Sequence, residues 1–322
     1  YHLAKRLLDE GAAVIGIDNL NTYYDPKLKE ARLERLKTKE GFQCIRNDIA
    51  DREKIETLFE KHSFNIVVHL AAQAGVRHSL KNPYSYLDSN LCGLLPILEG
   101  CRESNIKHLV FASSSSVYGA DTTIPFSAHN PADHPVSLYA ATKRGGELLA
   151  HSYSILYGIP TTVLRFFTVY GPWGRPDMAY FRFTKLITEG KPIDVYNFGD
   201  MRRDFTYIDD IVEGLVRVME KAPSPDPAWK GSNPDPQSSI APFCIYNIGR
   251  GEAVELPTLI KHIENELGIK AKCKKLPIQS GDVIQTCADI SDLVKATGFR
   301  PKTSIEQGIK KFVVWYRDYY KN

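Results

Sequence analysis

Short apolar runs at residues 13–18, 42–45, 66–70, 108–112 and 161–166 punctuate the first half of the chain, and segments with helical spacing lie among them, as at 51–61, 84–104 and 137–157. A run that is apolar at nearly every position fits a strand covered on both faces. Strand, helix and strand in succession build right-handed crossover units. The expected fold class is therefore α/β, with a doubly wound parallel sheet. The alternation fades near residue 170, where shorter elements mix with loops. That break divides the chain into residues 1–170, carrying the wound sheet, and residues 171–322, a smaller mixed substrate-binding region with some elements returning to the first part.

The sequence opens at Tyr1 within a helical pattern that puts Leu3, Leu7 and Leu8 on one face, so a preceding segment is expected. Residues 222–242 are rich in Pro, Ser and Asp and read as a surface loop, and residues 304–319 as a final amphipathic helix. The balance of 41 basic to 38 acidic residues leaves a net charge of +3, too little for a nucleic-acid surface. The longest apolar stretches are strand-length, so no bilayer crossing is expected, and no signal-peptide pattern is seen. Cys44, Cys92, Cys101, Cys244, Cys273 and Cys287 form no Cys-x-x-Cys motif. They read as reduced thiols of a cytoplasmic enzyme, with no metal site.

Tyr139 and Lys143 are the central chemical signal. Positions i and i+4 share a helix face, so the lysine ammonium can lie beside the phenol. A free tyrosine titrates near pH ~10, and a neighbouring cation favours the phenolate, which makes a general base. Tyr23 and Lys27 repeat the spacing, but Pro26 between them argues against a helix interior, and the pair reads as a chance match. The context of Tyr139 is more telling. The run Ser113-Ser114-Ser115-Ser116 directly follows the apolar stretch His108-Leu109-Val110-Phe111, so it sits at the end of a strand rather than in a flexible linker. Hydroxyls there face the crevice where ligands bind in such sheets. Ala71 and Ala72 end the preceding strand, and small residues let a flat cofactor approach the backbone.

These features resemble the extended short-chain dehydrogenase/reductases that act on nucleotide sugars, the NAD-dependent epimerase/dehydratase family. The stretches Asp18-Asn19-Leu20-Asn21, Ala74-Gly75-Val76-Arg77, residues 168–178 and residues 202–210 are similar, more narrowly, to UDP-glucuronate 4-epimerases. The resemblance implies a Rossmann-like domain with bound NAD. Its Gly-rich pyrophosphate loop would lie before Tyr1, outside this sequence. Asp18 would hold the adenosine ribose and disfavour NADP, with Asn19 beside it. Asp48 and Ile49 would flank the adenine. Leu70, Ala71, Ala72, Gln73, Asn90 and Phe166 would complete the cofactor site, with Lys143 on the nicotinamide ribose. Tyr139, Lys143 and Ser114 would be catalytic. Arg77, Ser114, Ser115, Ser116, Thr168, Arg175 and Arg203 would bind the UDP-sugar. Gln279 stands where relatives acting on neutral UDP-sugars carry an arginine, so the phosphate contacts must be rearranged.

The implied activity interconverts UDP-glucuronate and UDP-galacturonate by inversion at C4 through a transient 4-keto sugar. Rival readings are a 4-epimerase of a neutral UDP-sugar, a UDP-glucuronate decarboxylase, and an NAD-binding sensor of the same fold. The serines at 115 and 116 disfavour decarboxylation and dehydration, because relatives doing that chemistry place an acid at one of them. Thr168, in place of an asparagine common in neutral-sugar epimerases, favours the uronate. A homodimer is implied, packed through the Tyr139 helix, with Leu148, Leu149 and Tyr153 as contact candidates.

Overall fold

The computed structural model of the chain describes residues 1–279 and 281–321. Helix α1 (His2–Asp9) leads into β1 (Val14–Asp18), and α2 (Pro26–Lys37) crosses to the parallel strand β2 (Phe42–Arg46). α3 (Arg52–Lys61) leads to β3 (Ile66–His69). The short helices α4 (Val76–Ser79) and α5 (Pro83–Leu87), a π-turn at Asp88–Cys92 and α6 (Leu94–Glu103) then carry the chain to β4 (His108–Ser114). α7 (Leu138–Tyr157) crosses to β5 (Thr161–Phe166).

After β6 (Thr168–Tyr170) come α8 (Ala179–Thr188), β7 (Ile193–Val195), β8 (Arg202–Tyr207) and α9 (Ile208–Met219). β9 (Phe243–Ile248) returns to lie parallel beside β5, so the main sheet runs β3-β4-β5-β9. β10 (Ala253–Glu255) joins β8 and β6 in a small mixed sheet. α10 (Leu256–Leu267), β11 (Cys273–Lys275, parallel to β7), α11 (Ser291–Thr297) and α12 (Ile305–Tyr320) complete the fold.

The helices cover both faces of the main sheet, as the apolar runs require. Every residue of β4 is buried. Leu109 and Phe111 point into one layer with Ile55, Leu98, Ala150 and Val163, while Val110 points into the other with Leu3, Leu164, Ile211 and Leu293. Each such leucine, isoleucine, valine or phenylalanine contributes about 1.5–3 kcal/mol on burial. A third core, built on Tyr170, Phe181, Leu259 and Phe312, lies among α8, α10 and α12. Residues 222–242 form turns and an isolated bridge between Lys230 and Asn233. Among the described residues no helix is long and apolar enough to cross a membrane, and no group of three His, Cys, Asp or Glu side chains could hold a metal.

The single helix expected over 84–104 is interrupted, because the π-turn turns Asn90 inward. Its Oδ1 accepts the Gln73 N–H at 2.8 Å, and its Nδ2 donates to the Gln73 carbonyl at 3.1 Å and to Thr142 Oγ1 at 3.0 Å. A regular helix would leave that strand-end loop without these partners, and π-turns recur where such local adjustment is needed.

Candidate active site

Helix α7 begins at a cap, Ser137 Oγ accepting the Ala140 N–H at 3.1 Å, so Tyr139 lies in its first turn and Lys143 one turn on. Gly146 lets the helix press onto β4, since a Cβ there would stand 2.6 Å from the Phe111 ring. That approach brings Lys143 Nζ within 2.7 Å of the Ala112 carbonyl and 5.2 Å from the centre of the Phe111 ring. Burial pulls the ammonium down to about 8, and Glu147 one turn further on opposes the shift. An ammonium has three donors, and one is committed to Ala112. A buried cation with donors to spare fits a ligand bearing hydroxyls, such as a ribose diol.

Burial raises the Tyr139 phenol above its ordinary value, and the Ser114 hydroxyl and Arg175 oppose that rise. Arg175 thus favours the phenolate from outside α7, and one donor of Lys143 is engaged with Ala112. Ser114 ends β4 and accepts the Ser116 N–H at 3.2 Å, opening a tight 3-10 turn that leaves Ser115 and Ser116 half-buried. Thr168, also half-buried, starts β6. Tyr86, missed by sequence reasoning, stands edge-on to Tyr139 with ring centres 6.1 Å apart and donates to the Ala74 carbonyl at 2.8 Å. It reads in sequence as one more helix residue.

Asp18, Asn19 and Asp48 gather at the carboxyl ends of β1 and β2. Asp18 Oδ1 accepts the Leu20 N–H at 2.7 Å, and its side chain is 54% exposed. Asn19 Nδ2 donates to Asp48 Oδ2 at 2.8 Å, and Asp48 Oδ1 accepts the Ala50 N–H at 2.9 Å. Leu70 is exposed, with Ala71 and Ala72 half-buried beyond β3. Ile49 lies in the core with Ile55 and Phe59, Phe166 packs partly buried at the end of β5, and Asn90 is spent on Gln73 and Thr142.

A second cationic cluster lies further out. Arg77 pairs with Asp282 at 2.7 Å and lies over the Tyr196 ring. Arg203 donates to the Ile284 carbonyl at 2.9 Å; burial lowers its pKa, with Asp282 opposing and Arg77 adding to the shift. Arg77 pairs with the carboxylate while Arg203 donates to backbone carbonyls, a surplus of positive charge that suits phosphate oxygens. Gln279 Oε1 is buried with no partner among the described residues. Beside Arg203, Asp204 is fully buried and accepts N–H groups from Arg250, Gly251 and Ala288 at 2.8–3.0 Å, tying β8 to two loops.

A tyrosine and a lysine one turn apart, beside serines at the carboxyl edge of a parallel sheet, define a class: the dinucleotide-dependent enzymes of the short-chain dehydrogenase type. The chain belongs to the NAD dependent epimerase/dehydratase family, whose model matches residues 1–229. It is 55% identical over its whole length to a 37.6 kDa protein of Escherichia coli O111:H-, covering 96% of it. It is 47% identical to a probable UDP-glucuronate 4-epimerase of Rhizobium meliloti, over 100% of this chain and 94% of the relative. Among solved structures it matches the UDP-glucuronic acid 4-epimerase of Bacillus cereus in complex with UDP-glucuronic acid and NAD, with a TM-score of 0.87, 32% identity, and coverage of 99% and 96% of the two chains.

Proposed function

We propose that the chain is a UDP-glucuronate 4-epimerase, interconverting UDP-glucuronate and UDP-galacturonate with NAD as cofactor. The observation that carries this reading is Tyr139 and Lys143 one turn apart on α7, beside the serine turn that ends β4, with the Arg175 charge favouring the phenolate. A guanidinium among neutral donors suits a sugar that brings its own carboxylate. NAD supplies the hydride acceptor when bound. Lys143, with donors uncommitted, would hold its nicotinamide ribose, and Asp18 its adenosine ribose.

Tyr139 is the base for the sugar 4-hydroxyl. It must shed its proton against the effect of burial, and Ser114 and Arg175 favour the phenolate. When C4 is oxidised, the sugar becomes a 4-ketone with a carboxylate on C5, a β-keto acid prone to lose carbon dioxide. The enzyme must keep the breaking C–C bond out of line with the carbonyl π system. Ser115, Ser116 and Thr168 can fix the carboxylate by hydrogen bonds without delivering a strong acid, and Arg175 anchors its charge. The ketone then turns, and reduction on the opposite face returns the proton from Tyr139 to O4, completing inversion. Arg77 and Arg203 would hold the diphosphate.

The enzyme is further proposed to act in the cytoplasm as a homodimer. Leu95 on α6 and Leu148, Ile155 and Leu156 on α7 are exposed and support a shared helix face. Leu149 and Tyr153 instead pack toward the core. The functional test is incubation with UDP-glucuronate and NAD, followed by separation of the products. UDP-galacturonate is expected, with the same final ratio approached from either sugar. A UDP-pentose as main product, or faster epimerisation of UDP-glucose, would overturn the reading.

A further inference from the structure

Tyr23, whose spacing to Lys27 looks like a chance copy of the catalytic pair, comes close to the reaction centre. It lies in the segment after β1 and is packed so tightly over Gly75 that a Cβ there would collide with its hydroxyl. Its Oη donates to Asp177 Oδ2 at 3.2 Å. The same Oδ2 lies 3.5 Å from the Arg175 guanidinium. Asp177 Oδ1 is buried and has no hydrogen-bond partner among the described residues. A buried carboxylate oxygen without a donor is costly. A separation of 3.5 Å is also long for a committed arginine–carboxylate pair, which closes to about 2.7–2.9 Å. Asp177 is therefore shared between two donors and fully satisfied by neither.

We propose that Asp177 is a resident competitor for Arg175, displaced by the carboxylate of a uronic acid substrate, and that the Tyr23 hydroxyl sets how strongly it competes. The idea rests on the uronate reading above. In the unliganded enzyme Asp177 partly neutralises an arginine that would otherwise stand uncompensated beside Tyr139. An incoming carboxylate takes over that task, and the charge of the site is conserved by the exchange. The displaced Asp177 keeps its hydrogen bond to Tyr23, so it is not stranded. A neutral sugar has no group to exchange, and Asp177 stays on Arg175 when such a sugar enters. Tyr23 and Asp177 are positioning residues in this scheme: they act on substrate choice through Arg175.

The test is the binding of UDP-glucuronate and UDP-glucose to the NAD-loaded protein by titration calorimetry, in a Tyr139→Phe background so that turnover does not intrude. Asp177→Asn removes the competing charge, so uronate affinity should rise by roughly tenfold, the scale of one charge-assisted hydrogen bond. Tyr23→Phe leaves Asp177 with Arg175 as its remaining donor, so uronate affinity should fall by a few-fold up to about tenfold. UDP-glucose affinity should move little in either variant. The double variant should match Asp177→Asn, because the Tyr23 effect passes through the Asp177 charge. Equal shifts for both sugars, shifts of the same sign in both single variants, or simple additivity would overturn the competitor role and leave a structural one. Turnover of UDP-glucuronate by the Tyr139 enzyme is measured in parallel. Its presence confines such a failure to Asp177 and Tyr23, whereas its absence overturns the functional reading and this inference together.

Discussion

Arg165→Met should be among the most destabilising single changes in the chain. Arg165 lies on β5 and Glu147 on α7, with side-chain exposures of 0% and 1%. They meet through two parallel bonds, Nε to Oε1 at 2.9 Å and Nη2 to Oε2 at 2.8 Å. The guanidinium also stacks on the Tyr118 ring, 4.8 Å from its centre. Methionine keeps much of the volume but leaves Glu147 buried with Ser113 and the more exposed Arg144 as partners. Breaking a buried pair from one side costs about 3–5 kcal/mol. Urea unfolding should show that loss as a lower midpoint at an unchanged slope. Glu147→Gln together with Arg165→Met should cost clearly less than the sum of the two single changes. A loss below about 1 kcal/mol for Arg165→Met would refute the reasoning, since the charge left behind would then have found water. The pH dependence carries a definite sign. Burial opposes ionisation of Glu147, but Arg165, Ser113 and Arg144 outweigh it and hold the folded pKa below its ordinary 4.5. Its contribution is therefore present above 4.5 and fades as pH falls through the lower folded value.

Other predictions concern the site and one surface clamp. Ser116→Ala with Thr168→Ala should release measurably more carbon dioxide per epimerisation, since losing even one bond to a charged group, worth about 1.5–3 kcal/mol, raises the side reaction by roughly tenfold to a hundredfold; a double variant that releases no more than the parent would remove these hydroxyls from the carboxylate lock. The Asp18 carboxylate should make the enzyme retain NAD more tightly than NADP, and equal retention in cofactor-exchange measurements would contradict its ribose role. His129 sits between Asp235 and Asp292 at 2.8 and 3.0 Å, and although burial opposes it, these carboxylates raise its pKa above 6.5. The clamp is half-exposed and weak, but it should fasten residues 222–242 fully below pH 6.5 and release them as pH rises through the higher folded value. Limited proteolysis in that segment should accelerate accordingly, and a flat rate across the interval would contradict it.

The strands were readable because burial on both faces leaves a signature in the sequence itself: β4 is apolar from Leu109 to Ala112 and buried at every position. Tyr139, Lys143 and the serine run were readable because helical spacing and strand-end placement are local properties. The break at Asn90 was not, since its cause is the Gln73 backbone, 17 residues away and visible only once the loop is folded. Spacing puts Lys143 on the same helix face as the phenol, but it does not show the Ala112 carbonyl that accepts one of its donors, which only the close approach of α7 to β4 supplies. Tyr23 was set aside because Pro26 breaks the helix around it, which is correct locally and silent about Asp177, which lies 154 positions on. Asp204 lay within a motif already singled out, yet its three backbone donors come from residues 250, 251 and 288. In each case the deciding partner is distant in sequence, where local pattern carries no signal.

The central claim is that C4 is oxidised and reduced within one binding event, with the carboxylate kept. UDP-glucuronate carrying deuterium at C4 tests it most directly. Hydride removed to bound NAD and returned to the opposite face of the same sugar must carry the label back. The account predicts UDP-galacturonate with deuterium retained at C4 and only traces of UDP-pentose. Loss of the label to solvent, or a deuterated pentose as the main product, would contradict it.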